Sequence, residues 1–296
     1  MRRAAPFNAL VALVALVALV ALVALVGCNH ATTRLRPLTV DVRGPESAHW
    51  DATRGVWYVS SFGQPLDLSG ATPDAPGYVS RLDVNGDVLE ARVVELDGDL
   101  LGLAMLDGTL YASHGFELLA IDVDRRTVTS IPVPNAGFLN DVAVGRGAVY
   151  VSDTGNGRIL RHVPGGGVEI VSQDPSLRAP NGILVEEDSL VVVTLGAFPP
   201  DPAQPGAILR ISNDGSVARI GTLSGLFDGI EADGDAYLVT DFGGTLWRVE
   251  RDGSAEQVFD AAAAGLRSAA DLGFDPVRRR VLLPDLVGEA AYFLDL

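Results

Sequence analysis

Lysine is absent from the 296-residue chain, and all 22 of its basic residues are arginine. That excludes Schiff-base lysine chemistry. Cysteine occurs once, at Cys28, and histidine only four times, so no intramolecular disulfide forms even in an oxidising compartment. Nucleophile elbows of the Gly-x-Ser-x-Gly kind, phosphate-binding P-loops and dinucleotide glycine patterns are all missing. A hydrolase built on this chain would need a metal to polarise a carbonyl or activate water. Basic charge is also in deficit: the formal net charge is −16, and so acidic a surface repels nucleic acid, which wants a basic footprint. It tolerates cations and neutral substrates. No amphipathic helical pattern runs long enough to compete with the strand signals, and the alanine run 261–264 has room for one helical turn at most.

What is abundant begins at the N-terminus. A short basic start, Met1-Arg2-Arg3, leads into an uninterrupted Ala-Leu-Val run over 9–26, which ends Leu25-Val26-Gly27-Cys28. The run is longer than most signal-peptide cores, so on length a membrane-spanning anchor stays open. Leu-Val-Gly-Cys resembles the bacterial lipobox, in which the cysteine is acylated and becomes the first mature residue. The resemblance implies a lipoprotein signal peptide over 1–27, lipidation at Cys28 and a tether over 28–36. Asn29 in place of Asp resembles the sorting pattern of outer-membrane lipoproteins, which implies a cell-envelope protein on the periplasmic side. Losing Arg2 and Arg3 would take the net charge to about −18.

Beyond the tether, one pattern returns six times. Residues 138–161, FLNDVAVGRGAVYVSDTGNGRILR, hold a polar pair, an alternating strand, a glycine turn, a β-rich run and a polar stop. PNGILVEEDSLVVVT from Pro180 and FDGIEADGDAYLVTD from Phe227 repeat it, and looser copies start at Glu46, Leu100 and Ala270. Period-two alternation between Gly, Asn and Asp turns is the pattern of consecutive antiparallel hairpins. Six copies predict an all-β, six-bladed β-propeller over 37–296. The blades fall near 46–94, 99–133, 138–173, 180–222, 226–260 and 268–296. The last has room for three strands only. Closing the ring therefore calls for a strand at 37–43 to pair with it, since an open propeller exposes two sheet edges. Insertions at 63–76 and 198–202 interrupt blades one and four, where binding walls are commonly built.

Superposing the repeats singles out the residue just before each first strand: Glu46, Leu101, Asn140, Asn181, Asp228 and Asp271. In a propeller these positions converge on the central tunnel. Carboxylates and amide carbonyls without cysteine or clustered histidine suit a hard divalent cation, Ca2+ first, with Zn2+ or Mn2+ as alternatives. The same residues are turn formers, and that reading stays open for each position alone. A second register comprises His114, Asp153, Thr194, Asp241 and Asp285. It reads as a repeated side-chain-to-backbone bond that steadies each blade, with His114 a secondary candidate for a general base. His49 either lines the pocket or packs beside Trp50.

On these residues the chain resembles the senescence marker protein/gluconolactonase-like family of six-bladed propellers, over about residues 40–296. Glu46 four residues before Trp50, Asn181 in Pro-Asn-Gly-Ile and Asp228 in Phe-Asp-Gly-Ile match the motifs that hold the family's cation. Asn140-Asp141 matches a pair whose asparagine contacts substrate. The resemblance implies Glu46, Asn181 and Asp228 on metal, Asn140 beside substrate, and Asp228 as the catalytic residue that positions or activates water. The implied reaction is metal-dependent hydrolysis of a lactone or ester. Two departures stand out: Phe138 occupies the place of an arginine of the sugar-lactone enzymes, and Ser47-Ala48 follows the opening glutamate in place of Gly-Pro. Losing that bidentate donor points away from a polyhydroxylated lactone and towards a more apolar substrate. Tyr150 to Leu160 also resembles NHL repeats, which leaves a non-catalytic binding or scaffolding propeller as the alternative. A lyase of the kind found on similar propellers fits less well with so few histidines.

Overall fold

The computed structural model describes residues 34–66 and 75–296. Cys28, the signal sequence, most of the tether and the middle of the first insertion lie outside these residues. Among the described residues, twenty-four strands form six four-stranded antiparallel sheets. Blade one comprises β2 (Pro45–Asp51), β3 (Val56–Ser61), β4 (Gly77–Asp83) and β5 (Val88–Leu96). Blade two comprises β6 (Leu103–Leu106), β7 (Thr109–His114), β8 (Glu117–Asp122) and β9 (Thr127–Pro132). Blade three follows with β10 (Leu139–Gly145), β11 (Ala148–Asp153), β12 (Arg158–His162) and β13 (Val168–Ser172). Blade four holds β14 (Pro180–Val185), β15 (Ser189–Thr194), β16 (Ile208–Ser212) and β17 (Val217–Arg219). In blade five are β18 (Phe227–Asp233), β19 (Ala236–Asp241), β20 (Thr245–Glu250) and β21 (Ala255–Asp260). Blade six has β22 (Gly273–Asp275), β23 (Arg280–Asp285) and β24 (Ala290–Asp295), and β1 (Arg34–Pro37) completes it from the other end of the chain.

The expected closure is therefore present, with its boundary moved. The closing strand is Arg34–Pro37 and not 37–43, and it pairs from Arg34 with Asp295 to Pro37 with Tyr292. The difference has a packing reason. Leu35 joins the apolar cluster of Leu272, Leu283 and Leu294, while Val40 and Val42 turn to the neighbouring interface against Trp57 and Phe293. Residues 34–36 are thus part of the propeller.

Burial explains why the strands read as they do. Second strands such as β11 and β15 are buried along their whole length, since a blade lies against each face. They accordingly appear as short continuous apolar runs. Outermost strands such as β13 and β21 are largely exposed. Among the described residues, six apolar clusters each seal one pair of neighbouring blades. Fully buried Tyr58, Tyr237 and Phe293 sit in three of them, and each side chain of that size contributes roughly 1.5–3 kcal/mol on burial. A seventh cluster belongs to no single interface and lies at one mouth of the channel.

A chain beginning at Leu38 tests the closure. Loss of β1 removes the ladder to β24 and the burial of Leu35, so thermal unfolding should fall by roughly 5–10 °C relative to a chain beginning at Arg34. Light scattering should show concentration-dependent association through the bared edge.

Candidate active site in the central channel

Glu46, Asn140, Asn181 and Asp228 are each the second residue of a first strand, in β2, β10, β14 and β18. All four are buried, with 3–7% of their surface exposed. The backbone does something distinctive there. In each of these strands, and at the same place, the ladder to the second strand breaks: between residues 45 and 48, 139 and 142, 180 and 183, and 227 and 230. Irregularities of this kind re-aim side chains and recur beside active sites. In blades two and six the paired strand begins later, at Leu103 and Gly273, and carries no such break.

This ladder corrects one residue of the ring. The hairpins β2–β3 and β22–β23 carry four turn residues, 52–55 and 276–279, where β10–β11 carries two. Counting back through the longer turn puts Ala270, not Asp271, in register with Glu46. The Ala270 amide bonds the Pro284 carbonyl as the Leu101 amide bonds that of Ser113. The ring is thus Glu46, Leu101, Asn140, Asn181, Asp228 and Ala270. Asp271 belongs one residue further along, level with Ser47 and Asp141.

That second level is stitched to the protein. The Ser47 hydroxyl donates to Asp271 Oδ2 at 2.5 Å and the Leu272 amide to Oδ1 at 2.8 Å. Asp141 accepts from the Val142 amide at 2.6 Å and from the Ile183 amide, in the next blade, at 2.7 Å. Glycine fills the remaining tight places: a Cβ on Gly182 would stand 2.5 Å from the Asp228 carbonyl oxygen, and one on Gly229 2.4 Å from Asp271 Oδ1.

The first level is different. Glu46 Oε2 and Asp228 Oδ1 are buried without any hydrogen-bond partner, a condition that costs about 1–3 kcal/mol per atom or more for a charged group. Burial, followed by the charges of Asp228, Asp271 and Asp141, pushes the Glu46 carboxyl well above its usual range. Burial, then Asp141 and Asp241, raises Asp228 to about 8, while the neighbouring Asn181 side chain opposes the shift. Asp271 is raised by burial first and then by the charges of Asp141, Asp228 and Glu231, while the Ser47 hydroxyl opposes the shift. Asp141 reaches only about 6, because two backbone amides favour its charged form. No arginine contributes to any of these shifts. The arrangement lacks a positive charge.

Its chemistry fits a divalent cation: two carboxylates with free oxygens and an amide carbonyl are hard oxygen donors. Among the described residues no group of three His, Cys, Asp or Glu side chains is arranged to hold a metal; the set here joins two carboxylates to one amide carbonyl.

Beyond the second level, a cavity of about 130 Å³ continues along the axis, lined by His49, Asp141, Glu231, Asp271 and apolar side chains. His49 therefore does line the channel. Its Nε2 accepts a hydrogen bond from the Met105 amide at 3.3 Å, and burial lowers it to about 4, which keeps it neutral. His114, by contrast, sits at the end of β7 with Nε2 2.9 Å from the Asp97 carbonyl. Its counterparts hold linker backbone with the opposite polarity: Asp153 accepts from the amides of Gly137 and Phe138, and Asp285 from those of Arg267 and Ser268. The register is a structural strut, and His114 is a member of it.

These features define a six-bladed β-propeller with an acidic, partly unpartnered ring in its channel. No family model matches the chain, and neither does any curated relative. Solved structures do. A gluconolactonase from Xanthomonas campestris aligns with a TM-score of 0.67 at 17% identity, over 90% of this chain and 93% of that one. A calcium-binding regucalcin from Agrobacterium tumefaciens gives 0.62 at 14% identity, over 89% and 94%. Virginiamycin B lyase from Staphylococcus aureus gives 0.60 at 16% identity, over 89% and 99%. The chain thus has the fold shared by these lactonases and lyases.

The raised carboxyls carry a sign. A carboxyl whose folded value lies above its unfolded one stays protonated in the fold while the unfolded chain ionises. Its stabilisation is complete below the unfolded value, near 4, and is lost as pH rises through the folded value. With Asp228 and Glu231 both at about 8, the chelator-treated protein should melt at progressively lower temperature from about pH 5 to about pH 8. Asp228→Asn should flatten that slope, and a melting temperature that held steady or rose would contradict the assignment.

Proposed function

We propose that this propeller is a divalent-cation-dependent hydrolase that opens a lactone or ester, with Glu46, Asn181 and Asp228 as the cation's protein donors. The observation that carries the reading is the pair of buried, unpartnered oxygens, Glu46 Oε2 and Asp228 Oδ1, in a ring without a counter-charge. A cation bound there would supply the positive charge that polarises a carbonyl and lowers the cost of a developing oxyanion. The chain's own part follows from position. Asp228 presents a free oxygen able to accept a proton from an attacking water. Asn140, the ring's remaining amide, offers a donor and an acceptor to the substrate. Asp141 and Asp271, held by serine and backbone donors, keep the strands that carry these groups in register. The likeness in fold to a gluconolactonase and to a calcium-binding regucalcin supports this reading.

Calorimetric titration of Ca2+, then Zn2+ and Mn2+, into the chain from Asn29 onward tests it. One-to-one binding is expected, and Glu46→Ala or Asp228→Ala should weaken it on the order of a hundredfold or more, since even outer partners of a metal site are worth about 10–100-fold. Turnover of lactones should disappear with it. Absence of binding by any of the three ions would make the ring a set of strand-entry residues and favour a protein-binding propeller.

We further propose attachment to the cell envelope through acylated Cys28, supported by the Leu-Val-Gly-Cys sequence and its single cysteine. Cys28→Ser should move the protein from the membrane to the soluble fraction of a bacterial host.

A further inference from the structure

The seventh apolar cluster is not confined to one pair of blades. Phe62, Leu101, Leu195, Leu226, Phe242 and Leu286 meet in it, with Phe138 packed alongside, so five blades supply its core. Four of these follow directly on the second-strand ends: Phe62 after Ser61, Leu195 after Thr194, Phe242 after Asp241 and Leu286 after Asp285. Leu101 is itself a ring position. The cluster therefore lies on the Glu46 side of the channel, directly over the polar ring. Its outer margin is aromatic: Phe198, from the insertion in blade four, stacks on Phe138 at 5.4 Å with 22° between planes and keeps 37% of its surface exposed. The nearby arginines are engaged elsewhere, Arg178 with Gln204 and Arg267 with the Val287 carbonyl.

We propose that this collar receives the apolar arm of the substrate: an alkyl or aryl chain carried on the lactone ring or ester acyl group, whose carbonyl reaches the ring below. The assignment rests on the hydrolase reading for the site and names its substrate class. Hydroxyl groups set against these leucines and phenylalanines would lose water without gaining partners, which rejects a polyhydroxylated lactone. Methylene groups placed there would each be removed from water. At the usual transfer value a fully buried methylene is worth roughly fourfold in binding. The Phe138–Phe198 stack is the place where a chain can enter, since both rings are at least partly exposed and stand at the margin of the cluster.

The test pairs turnover with binding that needs no turnover. γ-Lactones with side chains from none to eight carbons, and an aldonolactone, are offered to the full chain with Ca2+. Non-hydrolysable N-alkyl lactams of the same lengths are titrated calorimetrically. Expected are rises in kcat/KM and in lactam affinity of up to about fourfold per methylene until the collar is filled. The aldonolactone should be turned over poorly. Phe198→Ala should shorten the length at which the rise stops, and Phe198→Glu, at a half-exposed position that spares the fold, should abolish it. Chain-length-dependent lactam binding without turnover of any lactone would uphold the collar and sink the hydrolase reading. Turnover indifferent to chain length, or faster with the aldonolactone, would overturn the collar assignment. Neither binding nor turnover would overturn both.

Discussion

Six inner strands cannot meet around one axis without stripping water from whatever side chains they carry there. Most inward positions solve this with apolar residues, and the tightest with glycine, where a neighbouring carbonyl or carboxylate already occupies the space of a Cβ. The ring of Glu46, Asn140, Asn181 and Asp228 does not solve it. Four polar groups are desolvated together, burial and then neighbouring carboxylates, Asp141 among them, raise both acids of the ring, and two oxygens are left without a donor. Burial of like charge at this density is a standing cost that only protonation or a cation relieves.

The surrounding architecture is arranged to hold that unfavourable cluster in place. Asp141 ties β10 to the Ile183 amide of the next blade, and the Ser47–Asp271 bond ties blade one to blade six. Further out, Asp153 binds Arg158 at 2.8 Å with almost no solvent exposure and caps the linker amides that lead into β10. Its analogue Asp285 does the same for blade six. These acids divide by their partners. Asp153 and Asp285, with backbone or arginine donors, set the geometry of the blades, whereas Glu46 and Asp228 each keep an unpartnered oxygen in the ring.

Much of this was legible in the repeats. The period-two pattern and its six returns led to the propeller, the blade boundaries and the need for a closing strand. Glu46, Asn140, Asn181 and Asp228 could be found because their blades share one spacing to the second-strand end or a recognisable Gly or Trp beside them. Asp271 was misplaced because two extra turn residues in β22–β23 are invisible to a comparison anchored on polar residues. Its spacing of fourteen to Asp285, against thirteen from Asn140 to Asp153, was the available signal. Asp141 carries no spacing signal, for what distinguishes it is a bond to another blade. The apolar collar was equally hidden. Its members are single leucines and phenylalanines scattered over five blades, and only closure of the ring makes them neighbours. The ladder breaks that mark the four polar blades have no sequence signature beyond a slightly longer first strand.

The topology of blade six also sets an orientation. β1 runs antiparallel to β24, with Arg34 opposite Asp295, and Asp295 in turn opposite Arg280 at the start of β23. The collar and the polar ring lie at the other end of that sheet, where β23 finishes at Asp285. Arg34 therefore lies on the face remote from the collar. A contact made through the Arg34 end of that sheet would leave the collar side of the channel uncovered.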